Sequence, residues 1–150
     1  MPVETSRSLL AIAFLAAIAF NPAQGWAATS VKVLLQDTST DPSLESMKMV
    51  AEPATVKAGK VTFTATNLSK GLIHEMIVIR SPNKGTALPY DADKQLVKES
   101  GIHSLGEVAE RDPGQSGALT LDLKPGSYLL FCNQAGHYKA GMSTTLTVTP

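Results

Sequence analysis

The chain contains a single cysteine, Cys132, in 150 residues. That excludes an internal disulfide and any zinc site built on cysteine pairs. Histidine is nearly as scarce, with three: His74, His103 and His137. Charge of neither sign dominates, with 13 basic side chains against 13 acidic ones. This removes the electrostatic case for nucleic acid or an anionic membrane surface as partner. No repeat and no low-complexity segment is present. The longest apolar run, Leu9 to Phe20, falls short of the ~20 residues needed to span a bilayer.

That run has another reading. Arg7 precedes it, Asn21-Pro22 breaks it, and Gly25-Trp26-Ala27 follows with small residues. The pattern is that of a secretory signal peptide over residues 1–27, cut after Ala27. Residues 28–150 are then expected to form a single domain, exported, with the periplasm as its compartment. No cysteine lies near the cut, so no lipid anchor is expected. Exported compartments are usually oxidising. An unpaired cysteine there calls for a reason, such as a bond to a metal.

The mature chain reads as short strands. Val31, Val33 and Leu35 alternate with polar neighbours, and so do Met47 and Met49. In "GKVTFTATN", Val61, Phe63 and Ala65 alternate with threonines, the pattern of a half-buried strand. "MIVIR", Met76 to Arg80, is continuously apolar and suits a central strand. Leu119, Leu121 and Leu123 alternate again, Lys124-Pro125-Gly126 turns, and Ser127 to Phe131 returns. Leu146 and Val148 mark the last strand. Seven to eight strands with turn signals between them predict an all-β Greek-key sandwich. The interval 81–104 is too long for a simple turn, and Asp91 to Ser100 is expected to form a short helix capped by Asp91 or Asp93.

The chemistry concentrates in "FCNQAGHYKAGM", Phe131 to Met142. Thiolate, imidazole and thioether follow one another at intervals of five residues between the last two strands. A His₂Cys set with a weak axial Met is the donor set of electron-transfer copper. The second imidazole must come from elsewhere, and His74 stands at the head of the apolar strand. Gly136 and Gly141 permit the tight turns that such a loop needs. Two other readings of Cys132 are a Cys–His nucleophile pair and an inert buried thiol. The first needs a third, orienting group, and the second leaves the His and Met spacing unexplained.

The pieces "AGKVTFTATN", "IHEMIVI", "LKPGSYLLFC" and "CNQAGHYKAGM" together resemble the cupredoxins, the small blue copper proteins. The resemblance extends from "VKVLLQD" to "TLTVT". It implies one type 1 copper ion with His74, Cys132, His137 and Met142 as ligands. The C-x₄-H-x₄-M spacing is more similar to rusticyanin and auracyanin than to plastocyanin, whose Cys–His gap is shorter. Many members carry Asn or Ser directly after the first ligand histidine, bonded across to the cysteine loop. This chain has Glu75 there. A carboxylate can accept the same Asn133 N–H, and its charge would favour Cu(II).

The resemblance further implies an exported one-electron carrier, a monomer and not an enzyme. It would meet its redox partners by transient apolar docking around His137. Leu72, Ile73, Ala135, Gly136, Tyr138 and Ala140 are the expected patch. The competing reading is a copper carrier or delivery protein, for which the Met47-x-Met49 pair is the one hint. Alternation instead turns both methionines into the core. A multicopper enzyme would need further histidines, and only His103 is left over. A binuclear copper centre would need a second cysteine.

Overall fold

A computed structural model describes residues 27–37, 47–81 and 87–150. The expected leader lies outside these residues, apart from Ala27. Eleven strands are present among them: β1 Thr29–Asp37, β2 Met47–Glu52, β3 Thr55–Lys57, β4 Gly59–Asn67, β5 His74–Arg80, β6 Tyr90–Asp91, β7 Leu96–Val97, β8 Ser104–Arg111, β9 Ser116–Leu123, β10 Gly126–Phe131 and β11 Ser143–Thr149. β3, β6 and β7 have only two or three residues each. Of the remaining eight, seven are strands that the sequence pattern marks, and β8 was not among those expected.

Two sheets face each other. One has the order β2-β1-β4-β9, the other β3-β11-β10-β5-β8. β1 runs parallel to β4, and β3 parallel to β11, while the other pairs are antiparallel. The period of two puts Val31, Val33 and Leu35 of β1 inside with Val61, Phe63 and Ala65 of β4. Threonines on the other face of β4 look outward, and Thr62 shares a hydroxyl hydrogen bond with Thr120 of β9 at 2.8 Å. Phe63 is fully buried; burying such a ring stabilises by about 1.5–3 kcal/mol. Met47 and Met49 are buried in the same core.

β5 is apolar on both faces because both faces are covered. Met76 and Val78 join the core between the sheets. Ile77 and Ile79 pack on the outer side with Val97 and Phe131, beneath Leu88, Tyr90 and Ile102. The chain from 87 to 104 is therefore a flap over the outer face of the second sheet.

The helix expected over 91–100 does not form. Asp91 Oδ1 accepts the N–H groups of Asp93 and Lys94, both at 3.1 Å. That pattern resembles a helix cap, but here it makes an Asx-type turn. The turn closes the β6–β7 hairpin, with Gln95 in the left-handed region at φ 58°. A single 3₁₀ turn, Glu99–Gly101, follows.

Candidate metal centre

The approach to His74 is set by a buried asparagine. Asn67 ends β4 with no solvent exposure. Its amide donates to the carbonyls of Leu72 and Arg111, both at 2.8 Å. Its carbonyl accepts Ser69 N–H at 2.9 Å. Ser69 Oγ in turn accepts the N–H groups of Gly71 and Leu72. The 67–73 loop is thus pinned from within, and it delivers His74 to the start of β5.

Cys132 follows β10. The β10–β11 ladder runs as far as Phe131 opposite Ser143, and then the strands part around the loop. Cys132 N–H donates to the Met142 carbonyl at 3.0 Å and closes that loop. Inside it, Met142 N–H donates to the His137 carbonyl at 3.0 Å, and Ala140 N–H to that of Gly136 at 2.9 Å. Such tight coiling puts Gly136 at φ 83° and Gly141 at φ 98°. A Cβ on Gly141 would stand 2.8 Å from the Met47 carbonyl oxygen. Met47 N–H also donates to the Ala140 carbonyl at 3.2 Å, which fastens the loop to β2.

These elements bring three side chains together. The ligand atoms of His74, Cys132 and His137 all lie within 4.8 Å of one another. His74 Nδ1 is 3.1 Å from His137 Nδ1, which is 3.5 Å from Cys132 Sγ. His74, Cys132 and Met142 are fully buried, and His137 keeps 7% exposure. Met142 is bonded through its backbone to both Cys132 and His137 and belongs to the same core cluster as the thiol. His103 is exposed and takes no part.

Polar neighbours surround the cluster. His74 Nε2 lies 3.1 Å from Asp37 Oδ2. Glu75 is turned inward, with 8% exposure. Its N–H donates to Cys132 Sγ at 3.5 Å, and its Oε1 accepts Asn133 N–H at 3.1 Å. The Asn133 side chain accepts Val97 N–H at 2.7 Å and donates to the Val97 carbonyl and to Glu99. Gly136 N–H donates to the Gln95 carbonyl at 2.9 Å. The flap therefore braces the cysteine loop as well as covering β5.

Burial decides the protonation states. It lowers His74 despite the opposing pull of Asp37. It lowers His137 to about 4, with His74 adding to the effect. It pushes the Cys132 thiol up to about 12. Glu75 rises to about 7, through burial first and the Glu110 carboxylate second. At neutral pH both imidazoles are uncharged and able to coordinate, and an incoming metal ion must displace the thiol proton. A dry set of thiol and imidazole donors suits copper.

A model of copper-binding proteins, the plastocyanin/azurin family, matches residues 36–149. The chain belongs to this family. Auracyanin-B of Chloroflexus aurantiacus is 47% identical to this cupredoxin over 67 residues, 43% of this chain and 28% of that protein. A solved auracyanin of Roseiflexus castenholzii aligns at 21% identity and TM-score 0.54, over 83% of this chain and 99% of that one. Rusticyanin of Thiobacillus ferrooxidans aligns at 18% and TM-score 0.55, over 82% and 79%. Auracyanin B, as a structure, gives 26% and TM-score 0.53, over 82% and 90%. The cofactor of this cupredoxin is copper, and the His74, Cys132 and His137 cluster is consistent with one type 1 ion.

Sequence reading missed Asp37, Asn67 and the Asn133 side chain. Asn133 had a signal, since it directly follows the cysteine. Asn67 reads as an ordinary strand end, and its role should show in stability. Asn67→Ala removes three buried hydrogen bonds, each worth about 1 kcal/mol or more when its partners are left unpaired. Urea denaturation should show a loss of roughly 2–4 kcal/mol, with faster amide exchange at Ser69 and Leu72. A loss below about 0.5 kcal/mol, the range of ordinary surface changes, would refute the role.

Proposed function

We propose that this cupredoxin is an exported one-electron carrier and that His74, Cys132, His137 and Met142 hold its copper. The observation that carries the reading is the convergence of three soft donors within 4.8 Å in a nearly dry interior. Bound copper supplies one-electron chemistry between Cu(II) and Cu(I). The chain supplies rigidity: Cys132 and His74 abut paired strands, and the loop holding His137 and Met142 is closed on itself. The Glu75 N–H directed at Cys132 Sγ favours the thiolate. Exclusion of water and fixed donors limit reorganisation when charge changes.

Delivery of copper is the weaker reading. Delivery favours open, exchangeable donors, whereas Met47 and Met49 are 4% and 3% exposed. They offer no accessible edge. Among the described residues, His74, Cys132 and His137 form the only cluster of three His, Cys or acidic side chains placed to hold a metal ion.

Partner docking is assigned to the end of the sandwich that carries the 67–73 loop. Leu68 is 48% and Ile73 44% exposed, and His137 is the ligand candidate with residual exposure. Of the residues expected around His137, Ala140 is buried and is left out of the proposed patch. With no net charge, apolar contact would dominate a transient encounter.

Four experiments test this reading. Cys132→Ser should abolish the visible thiolate-to-copper band and the one-electron wave, and Met142→Gln should keep copper bound while lowering the potential. A coloured serine variant, or a raised potential for the glutamine variant, would refute the ligand set. Leu68→Lys should leave spectrum and potential near wild type but slow electron exchange with a partner protein, because the charge must be desolvated on docking. Lys57→Glu, far along the chain on β3, should not slow it, and equal rates in both variants would remove the docking site. Exported protein should begin at Ala28 and show only tyrosine-type emission; an intact mass that retains Trp26 would contradict the cleavage.

A further inference from the structure

We propose that Asp37 is a positioning residue, which fixes the His74 tautomer for coordination and biases the site toward Cu(II). This inference rests on His74 being a copper ligand. Asp37 is the last residue of β1, separated from His74 by 37 positions in sequence. Its side chain is only 8% exposed, and that of His74 is fully buried. The contact between them, His74 Nε2 to Asp37 Oδ2 at 3.1 Å, is therefore largely shielded from water.

The geometry divides the two ring nitrogens. Nδ1 faces His137 Nδ1 at 3.1 Å, within the donor cluster. Nε2 faces the carboxylate, which can only accept a hydrogen bond. The ring proton therefore belongs on Nε2, and Nδ1 keeps its lone pair. A neutral imidazole coordinates through the nitrogen that lacks the proton. So the pair presets His74 before any metal arrives, as partners behind metal-bound histidines commonly do.

The charge matters as well as the hydrogen bond. A carboxylate behind a ligand stabilises the more positive oxidation state, and the shielding that buries Asp37 also weakens dielectric screening. Asp37→Asn keeps an acceptor for Nε2–H but removes the charge. Asp37→Ala removes both.

The experiment pairs ¹⁵N spectra of the His74 ring in the metal-free protein with the potential of the copper-loaded protein. Wild type should show Nε2–H at His74. The asparagine variant should keep that tautomer and the visible band, yet shift the Cu(II)/Cu(I) balance about tenfold toward Cu(I), a rise of about 59 mV. The alanine variant should lose the tautomer preference. An Nδ1–H tautomer in wild type, an unchanged tautomer in the alanine variant, or an unchanged potential in the asparagine variant would each overturn the proposal. Should wild type bind copper without the thiolate band, the ligand reading fails instead, and the metal-free spectra still judge Asp37.

Discussion

The hydrogen bond from Cys132 N–H to the Met142 carbonyl, 3.0 Å long, is the constraint on which the site depends. β10 and β11 are hydrogen-bonded up to Phe131 and Ser143. Without a closing bond, the chain between them would be an open excursion, and Cys132 and Met142 would have no fixed separation. With it, the loop is a coiled extension of the sheet. The His137 carbonyl then receives Met142 N–H, so the imidazole and thioether carriers are held by the same turn. The left-handed glycines at 136 and 141 are consequences of that closure, since the chain cannot coil so tightly through ordinary φ values.

Closure alone does not aim the donors at one another. Strand pairing does that, because β5 lies beside β10 in the same sheet and carries His74 at its head. Glu75 then spans the junction from both ends. Its amide reaches Cys132 Sγ, and its carboxylate reaches Asn133 N–H. The flap completes the frame through Asn133, Val97 and Gln95. Glu75 and Asn133 are buried, and each has hydrogen-bond partners, as a low-dielectric interior requires.

How much of this could be read from sequence depended on distance along the chain. Cys132, His137 and Met142 share one loop, so their spacing was visible in a single line of text. His74 could be inferred because it heads the one continuously apolar strand. The reason β5 is apolar on both faces was not visible, since it needs the flap, and the flap was misread. Asp91 and Asp93 look like helix caps because an Asx turn and a helix start use the same side-chain-to-amide hydrogen bond. Only the following residues differ, and Gln95 in a left-handed conformation is not a sequence signal. Ala140 was expected in the docking patch around His137; in the folded loop its carbonyl accepts Met47 N–H and the residue is buried. Asp37 had no local mark at all. Its role exists only because the parallel pairing of β1 with β4 places the end of β1 near the loop that leads to His74.

The distribution of charge around the site is the last consequence of this packing. The chain as a whole is neutral, with 13 charges of each sign, but the centre is not. Asp37 contacts one side of the cluster and Glu75 the other, and Glu110, Glu107 and Glu99 lie near enough to raise the Glu75 carboxyl. No cationic side chain contacts the donor atoms among the described residues. Burying carboxylates is costly unless something positive or hydrogen-bonding offsets the loss of water. The hydrogen-bond donors are supplied by Asn133, Gln134 and His74. Copper, the cofactor of this family, would add positive charge here on binding, and the acidic groups beside the donors would favour its more highly charged state.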